Sequence, residues 1–139
     1  MIEISALAEA EADAAVALWQ ACGLTRPWND PHADLKLALA TPTATILAGR
    51  LDGRLVATIM TGFDGHRGWV YYLAVAPEAQ RGGHGAAMMR AAESWLRARG
   101  VPKLNLMVRG DNAAATGFYE AIGYERSDVI VLQKFLTDA

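Results

Sequence analysis

Between Val75-Ala76-Pro77 and a long run of helical periodicity lies Gln80-Arg81-Gly82-Gly83-His84-Gly85-Ala86, the stretch of this chain with the most evident chemical use. A turn rich in glycine lets main-chain amides approach a ligand with no Cβ in the way. At a helix start those N–H groups lack intrahelical partners, and the helix dipole adds positive potential, so the turn favours phosphate. The expected ligand is a diphosphate lying on residues 81–87. Two common diphosphate cradles fit poorly. The nucleotide P-loop ends in Gly-Lys-Ser/Thr, whereas Gly85 is followed by Ala86 with no lysine near. The dinucleotide fingerprint G-x-G-x-x-G finds Met88 at its last position after Gly83-His84-Gly85. From the turn alone, a glycine-rich loop that binds nothing remains an open alternative.

A second patterned stretch, Asn112-x-x-Ala115-x-x-x-Tyr119-x-x-x-Gly123-Tyr124, opens the next β-α unit. Gln80-x-x-Gly83-x-Gly85, preceded by Val75-x-Pro77, resembles the CoA-binding motif of the GNAT family of N-acetyltransferases, and the second stretch resembles that family's C-terminal motif. The element order is similar to the family's over nearly the whole chain. Within the family, Arg26-Pro27-Trp28-Asn29-Asp30-Pro31 and Asp64-Gly65-His66-Arg67-Gly68 resemble a bacterial subgroup usually called YpeA-like. The resemblance implies a single N-acetyltransferase domain over residues 1–139, with acetyl-CoA as co-substrate and a small-molecule or peptide amine as acceptor. The amine would attack directly in a ternary complex. Two rival readings stand beside it: a non-catalytic CoA-binding sensor or partner subunit, and an acetyltransferase of protein N-termini or aminoacyl groups.

The resemblance also assigns roles. Two neighbouring parallel strands, Trp69–Ala76 and Leu104–Val108, should splay apart, with a bulge on the first. The pantetheine arm should pair with the backbone at Leu73 and Val75. The diphosphate should rest on the amides of Arg81, Gly83, Gly85 and Ala86, within a turn that includes Gly82 and begins at Gln80. Arg81 either adds charge to a phosphate or is simply solvated. Attack of a neutral amine on a thioester needs a donor for the developing oxyanion, a proton for the leaving thiolate and a route for the amine proton. The N–H near Leu73 suits the first task. Tyr119 suits the second, since a tyrosine pKa of about 10 lies near that of a thiol; the alternative is a packed aromatic. Asn112 either bonds the pantetheine or caps its helix. The base is less well marked. The strand Trp69–Ala76 carries no acid, and Met107 stands where the branch acting on ribosomal-protein N-termini has a glutamate. Asp64, His66, Glu78, or water held near Tyr71 or Tyr72 are the candidates. For the acceptor, Arg26, Trp28, Asn29, Asp30 and Tyr71 should face the cofactor. Asp30 or Asp34 would attract a cationic amine, unless Asp30 is a helix cap and Trp28 a core plug.

These residues need a scaffold. Ile2–Ser5 reads as a short strand. Glu9–Cys22 carries Ala12, Val16 and Trp19 at helical spacing and ends at Gly23. Asp30-Pro31 begins a second helix reaching about Ala40. Thr43–Arg50 and Leu55–Phe63 form a hairpin through Asp52-Gly53. A strand Trp69–Ala76, a helix Gly83–Arg99, a strand Leu104–Val108 and a helix Ala113–Ile122 follow. A last strand or pair of strands runs from Tyr124 to Phe135; members of the resembled family often pair through it, so the resemblance leaves a homodimer open without the sequence itself showing one. This order predicts an α/β fold with a central mixed sheet and helices on both faces.

Bulk properties agree with one globular domain. The chain has 139 residues, 53% of them apolar and 20% charged, and a net charge of −2. That charge gives no general attraction to nucleic acid or an anionic membrane. A single cysteine, Cys22, precludes an internal disulfide framework and reads as a small core residue. His32 and His84 have no partner at metal spacing, so no metal is expected. With neither a secretion signal nor a long apolar run, the expected location is cytoplasmic.

Overall fold

A computed structural model describes residues 1–137. The chain divides into two compact units, Met1–Leu106 and Met107–Ala139. The first holds strands β1 (Glu3–Ala6), β2 (Ala44–Leu51), β3 (Arg54–Phe63), β4 (Gly68–Val75) and β5 (Leu104–Asn105), with helices α1 (Ala12–Ala21), α2 (Pro31–Ala40) and α3 (His84–Ala98). The second holds α4 (Ala113–Ala121). The five strands form one sheet in sequence order, antiparallel except for the parallel β4–β5 pair. This is the expected mixed α/β sheet.

Register explains how the helices are divided between the faces. Ala48 pairs with Thr58, and Gly49 with Ala57. Adjacent residues of a strand point to opposite faces. The Thr58 hydroxyl accepts a 2.8 Å hydrogen bond from the Trp19 indole of α1, so α1 covers that face. A Cβ on Gly49 would stand 2.9 Å from Met88 Sδ of α3, so α3 covers the other. At Gly68 an added Cβ would meet Leu96 Cδ1 at 2.7 Å. Two glycines thus let α3 lie close on the sheet, with Met88, Met89 and Leu96 buried beneath it. The hairpin at Asp52-Gly53 has positive φ at both residues, 51° and 79°, as a tight turn that follows the strand twist requires.

Some expected boundaries move. Glu9–Glu11 is a 3-10 turn rather than the first turn of α1, because Glu11 turns back to accept from the Ala8 N–H and from Arg50 of β2. β5 ends at Asn105, not Val108. The expected last strand or strands over Tyr124–Phe135 do not form: no described residue after Ala121 is in a strand. β-branched residues supply a preference, but a strand exists only through a ladder. Here Val129, Ile130, Val131, Leu132, Phe135 and Leu136 remain exposed.

Candidate active site

The β4–β5 ladder spans only Gly68↔Leu104 and Trp69↔Asn105. β4 then continues to Val75 alone on that edge. The Ala76 N–H donates to the Val56 carbonyl of β3 at 2.7 Å. Strand alternation therefore turns the N–H and C=O groups of Val75 and Leu73 the other way, toward the edge β5 has left. The Val75 carbonyl there accepts from Gln80 Nε2 at 3.0 Å and from the Cys22 thiol at 3.2 Å. The first bond ties the start of the glycine turn to the end of β4. Burial raises the Cys22 thiol pKa, so the group is held protonated as a donor.

β4 carries a bulge. Its register with β3 shifts by one between Thr58↔Ala74 and Met60↔Tyr71, so Tyr72 and Leu73 together oppose Ile59. Tyr72 has φ +51°, a left-handed conformation usually left to glycine at such a bulge. For a residue with a side chain this costs about 1–2 kcal/mol. Several contacts offset it. The Tyr72 ring stacks on Trp19, centroids 3.9 Å apart and planes 13° from parallel. Its hydroxyl donates to Asp34 Oδ2 of α2 at 2.7 Å. Its carbonyl accepts from Thr58 Oγ1 at 3.0 Å, while that same oxygen accepts from Trp19 Nε1. A stacked aromatic pair contributes about 0.5–1.5 kcal/mol and a hydrogen bond about the same net. Their sum exceeds the strain. Burial first, and then the Asp34 carboxylate, push the Tyr72 pKa up, so it stays a donor.

The glycine turn continues from this edge. Arg81 has φ +71° and Gly83 φ +77°. Gly83 is the N-cap of α3, which has neither a side-chain cap nor an acid in its first turn among the described residues. The contrast with α2 and α4 is informative. Asp30 accepts from the His32 and Ala33 N–H groups at 3.0 and 3.2 Å, and Asn112 accepts from Ala115 N–H at 3.0 Å. α1, which continues from the 3-10 turn Glu9–Glu11, has no side-chain cap but carries an acid, Asp13, in its first turn. α3 has neither: it starts at glycine, and the first amides of a helix have no intrahelical acceptor. The His84 ring lies against Gly82, where a Cβ would stand 2.8 Å from Nε2. Gln80, Arg81, Gly82 and Gly83 are exposed. The residues present thus fit a diphosphate on α3 and an extended arm along β4.

The other candidates are placed as follows. Arg26 Nη1 donates to the Gly23 and Thr25 carbonyls at 2.8 and 2.9 Å, closing its own loop. Asn29 N–H donates to the Arg26 carbonyl, and Trp28 is 57% exposed, so it is no core plug. Asp30 is engaged as the α2 cap. Asp34, one turn on, points at Tyr72 of the bulge instead. Asp64 accepts from the His66 and Arg67 N–H groups and from the Trp69 indole. Those backbone bonds hold its pKa down, which makes it a turn-forming carboxylate and a poor base. The side chain of His66 is exposed on that turn. Tyr71 is 45% exposed, and burial of the rest of its ring raises its pKa. In the second unit, Asn112 caps α4 and Tyr119 packs edge-on against Phe118 and Tyr124. Burial raises the Tyr119 pKa and keeps the phenol protonated. Among the described residues no group of His, Cys, Asp and Glu is arranged to hold a metal ion, and no helix is long and apolar enough to cross a membrane.

Sequence reasoning did not single out Trp19 or Thr58 as site residues. The available signal for Thr58 was a polar residue within the apolar strand Leu55–Met60, which needs an internal partner when buried. Nothing local marked Trp19 as more than core.

Comparison with known proteins agrees with this geometry. Residues 6–124 match the Acetyltransferase (GNAT) family. An acetyltransferase of Yersinia enterocolitica is 42% identical over 135 residues, covering 97% of this chain and 96% of the relative. The crystal structure of the ribosomal-protein-S18-alanine N-acetyltransferase from Escherichia coli superposes with a TM-score of 0.78 at 26% identity, covering 91% of this chain and 79% of that one. The structure of AAC(6′)-Iy with the bisubstrate analogue CoA-S-monomethyl-acetylneamine gives a TM-score of 0.83 at 13% identity and covers 99% of both chains, a likeness of fold. A family match across both units and a full-length relative at 42% identity place this chain in the GNAT acetyltransferase family, as an acetyltransferase.

Proposed function

We propose that the protein is an N-acetyltransferase that moves the acetyl group of acetyl-CoA to a primary amine of a small molecule or peptide, by direct attack in a ternary complex. The observation that carries this is the α3 start, which has no side-chain cap among the described residues, joined by Gln80 to the β4 edge that β5 leaves after Trp69. The amides of Arg81, Gly83, Gly85 and Ala86 hold the diphosphate, with Gly82 giving the turn room. Leu73 and Val75 hold the pantetheine arm; since the Val75 carbonyl already has two donors, its N–H is the group offered. The substrate supplies an activated acyl group as a thioester.

The Leu73 N–H donates to the carbonyl oxygen as negative charge gathers there. The amine nitrogen forms a bond to the acyl carbon, the carbon–sulfur bond breaks, and the amine proton passes to water beside Tyr71. Tyr119 gives its proton to the departing thiolate and recovers one from solvent. Its role rests on the motif from Asn112 to Tyr124. The bonds Asp64 accepts weigh against it as the base, which leaves water, His66 or Glu78. On the acceptor side Trp28, Asn29 and Arg26 form the loop, and Asp34 supplies the charge that Asp30, as a cap, does not. Similarity to AAC(6′)-Iy, crystallised with an acetylneamine conjugate, supports a small-molecule amine. The 26% identity with the S18-alanine enzyme supports a protein N-terminus as the second reading.

Calorimetry with CoA and acetyl-CoA, then release of free thiol against a panel of amines, amino acids and N-terminal peptides, tests the proposal. Saturable CoA binding and amine-dependent thiol release are expected. A folded protein that binds neither nucleotide would end the reading.

A further inference from the structure

The bulge on β4 has an unusual owner. A left-handed residue at a bulge is ordinarily glycine, yet Tyr72 takes φ +51°. Three elements other than β4 hold it there: Trp19 of α1 by stacking, Thr58 of β3 through the Tyr72 carbonyl, and Asp34 of α2 through the hydroxyl. Trp19 and Thr58 are both fully buried, and Trp19 Nε1 is itself bonded to Thr58 Oγ1. The Tyr72 carbonyl and the Leu73 nitrogen belong to one planar peptide group. Whatever fixes that carbonyl also fixes the direction of the Leu73 N–H, which points opposite to it. Thr58 Oγ1 grips the carbonyl from the β3 side, so the N–H is turned toward the edge that β5 leaves uncovered.

We infer that Thr58 and Tyr72 are positioning residues that aim the Leu73 N–H at the thioester carbonyl, with Trp19 and Asp34 holding Tyr72 in its strained conformation. This rests on the acetyl-CoA reading above and adds to it Thr58, Tyr72 and Trp19, which touch no atom of the thioester; Asp34 also has the acceptor-side role given above. A bulge held only by glycine would leave that peptide free to rotate. A bulge residue held by three other side chains presents one donor in one direction before substrate arrives, and preorganisation of this kind is what an oxyanion donor needs.

The test uses acetyl-CoA carrying carbon-13 at the carbonyl, whose infrared stretch reports hydrogen bonding to that oxygen. On binding the wild-type protein the stretch should move to lower frequency. Thr58→Val keeps the shape and removes the hydroxyl. In it the stretch should return toward the value in free solution, and turnover should fall about 10–100-fold, the penalty of a small misplacement at the reacting centre. The dissociation constant for CoA, which lacks that carbonyl, should stay within about twofold, and Thr58→Ser should restore both stretch and rate. If Thr58→Val does not fold, Tyr72→Phe carries the comparison, since it keeps the stack and loses only the Asp34 bond; a partial return of the stretch is expected. A folded Thr58→Val or Tyr72→Phe with the wild-type stretch and rate would overturn the inference. So would a wild-type protein that binds CoA but leaves the stretch unmoved, and that result spares the binding reading. Failure of wild-type protein to bind CoA at all would overturn both.

Discussion

Gly83→Ala separates the structural from the functional use of the glycine turn. Gly83 has φ +77°, and a Cβ built on it meets no atom within 4 Å. The substitution therefore causes no clash, and its whole cost is conformational. Forcing an L-residue into the left-handed region costs about 1–2 kcal/mol. Part of that is offset because alanine leaves the unfolded chain fewer states, worth about 0.4–1 kcal/mol. The net loss is about 1 kcal/mol. With an unfolding entropy of roughly 2.1 cal/mol/K per residue over 139 residues, melting should fall by about 3 °C. Gly53 provides the control. It has φ +79°, also with nothing within 4 Å, but sits in the β2–β3 hairpin. Gly53→Ala should lose about as much stability and leave CoA binding intact. Gly83→Ala should do more, because relaxation toward negative φ turns the amides of His84, Gly85 and Ala86 away from the phosphates. Weakening one charged hydrogen bond, worth about 1.5–3 kcal/mol, lowers affinity roughly 10–100-fold. Gly83→Asn, a residue that tolerates the left-handed region, should recover much of it. Circular dichroism melts and calorimetry with CoA on the four proteins decide the matter. Equal CoA affinity in Gly83→Ala and Gly53→Ala would refute the phosphate-binding role. A Gly83→Ala loss above about 3 kcal/mol would refute the strain argument.

Other perturbations give separate outcomes. Tyr119→Phe should lower amine-dependent thiol release at least about 10-fold with CoA affinity unchanged in calorimetry; unchanged turnover removes the phenol from the chemistry. Asp30→Ala removes the α2 cap, which accepts from His32 and Ala33 N–H, and should cost about 1 kcal/mol in a denaturant melt. Arg50→Met should alter the acid limb of stability. Arg50 holds the Glu11 carboxyl below its usual pKa in the folded state. A depressed folded pKa adds stability above the unfolded value of about 4.3, and that stability is lost as pH falls through the folded pKa. Arg50→Met should therefore lower stability at pH 7 and lose less on going to pH 3 than the wild type does; parallel stability–pH curves for the two proteins would contradict this.

What the sequence made legible, and what it did not, follows from how each feature is encoded. The glycine turn, the hairpin at Asp52-Gly53 and the Asp30-Pro31 helix start are local: residue type alone sets φ or supplies a cap, so they could be read before any fold was known. The GNAT motifs extended this to the order of the elements and to a bulge on β4. No local pattern named the residue that takes the strain. Gly-Trp-Val-Tyr-Tyr-Leu-Ala-Val has no glycine at the bulge, and Tyr72 assumes its conformation only because Trp19, Thr58 and Asp34, distant in sequence, meet around it. The same dependence explains the opposite error over Tyr124–Phe135, where a last strand or pair of strands is expected but no ladder is formed among the described residues. Asp30 and Asp34 show it at the scale of one helical turn. Both are acids at the start of α2, and composition cannot rank them. Only the fold shows that the first is spent on two amides while the second faces the bulge. Local preference thus accounts for the proposed phosphate cradle, whose chemistry would be carried by the backbone. The proposed oxyanion donor is backbone as well, but the bulge that carries it is held by side chains from three other elements, so that part of the arrangement could be seen only once the chain was folded.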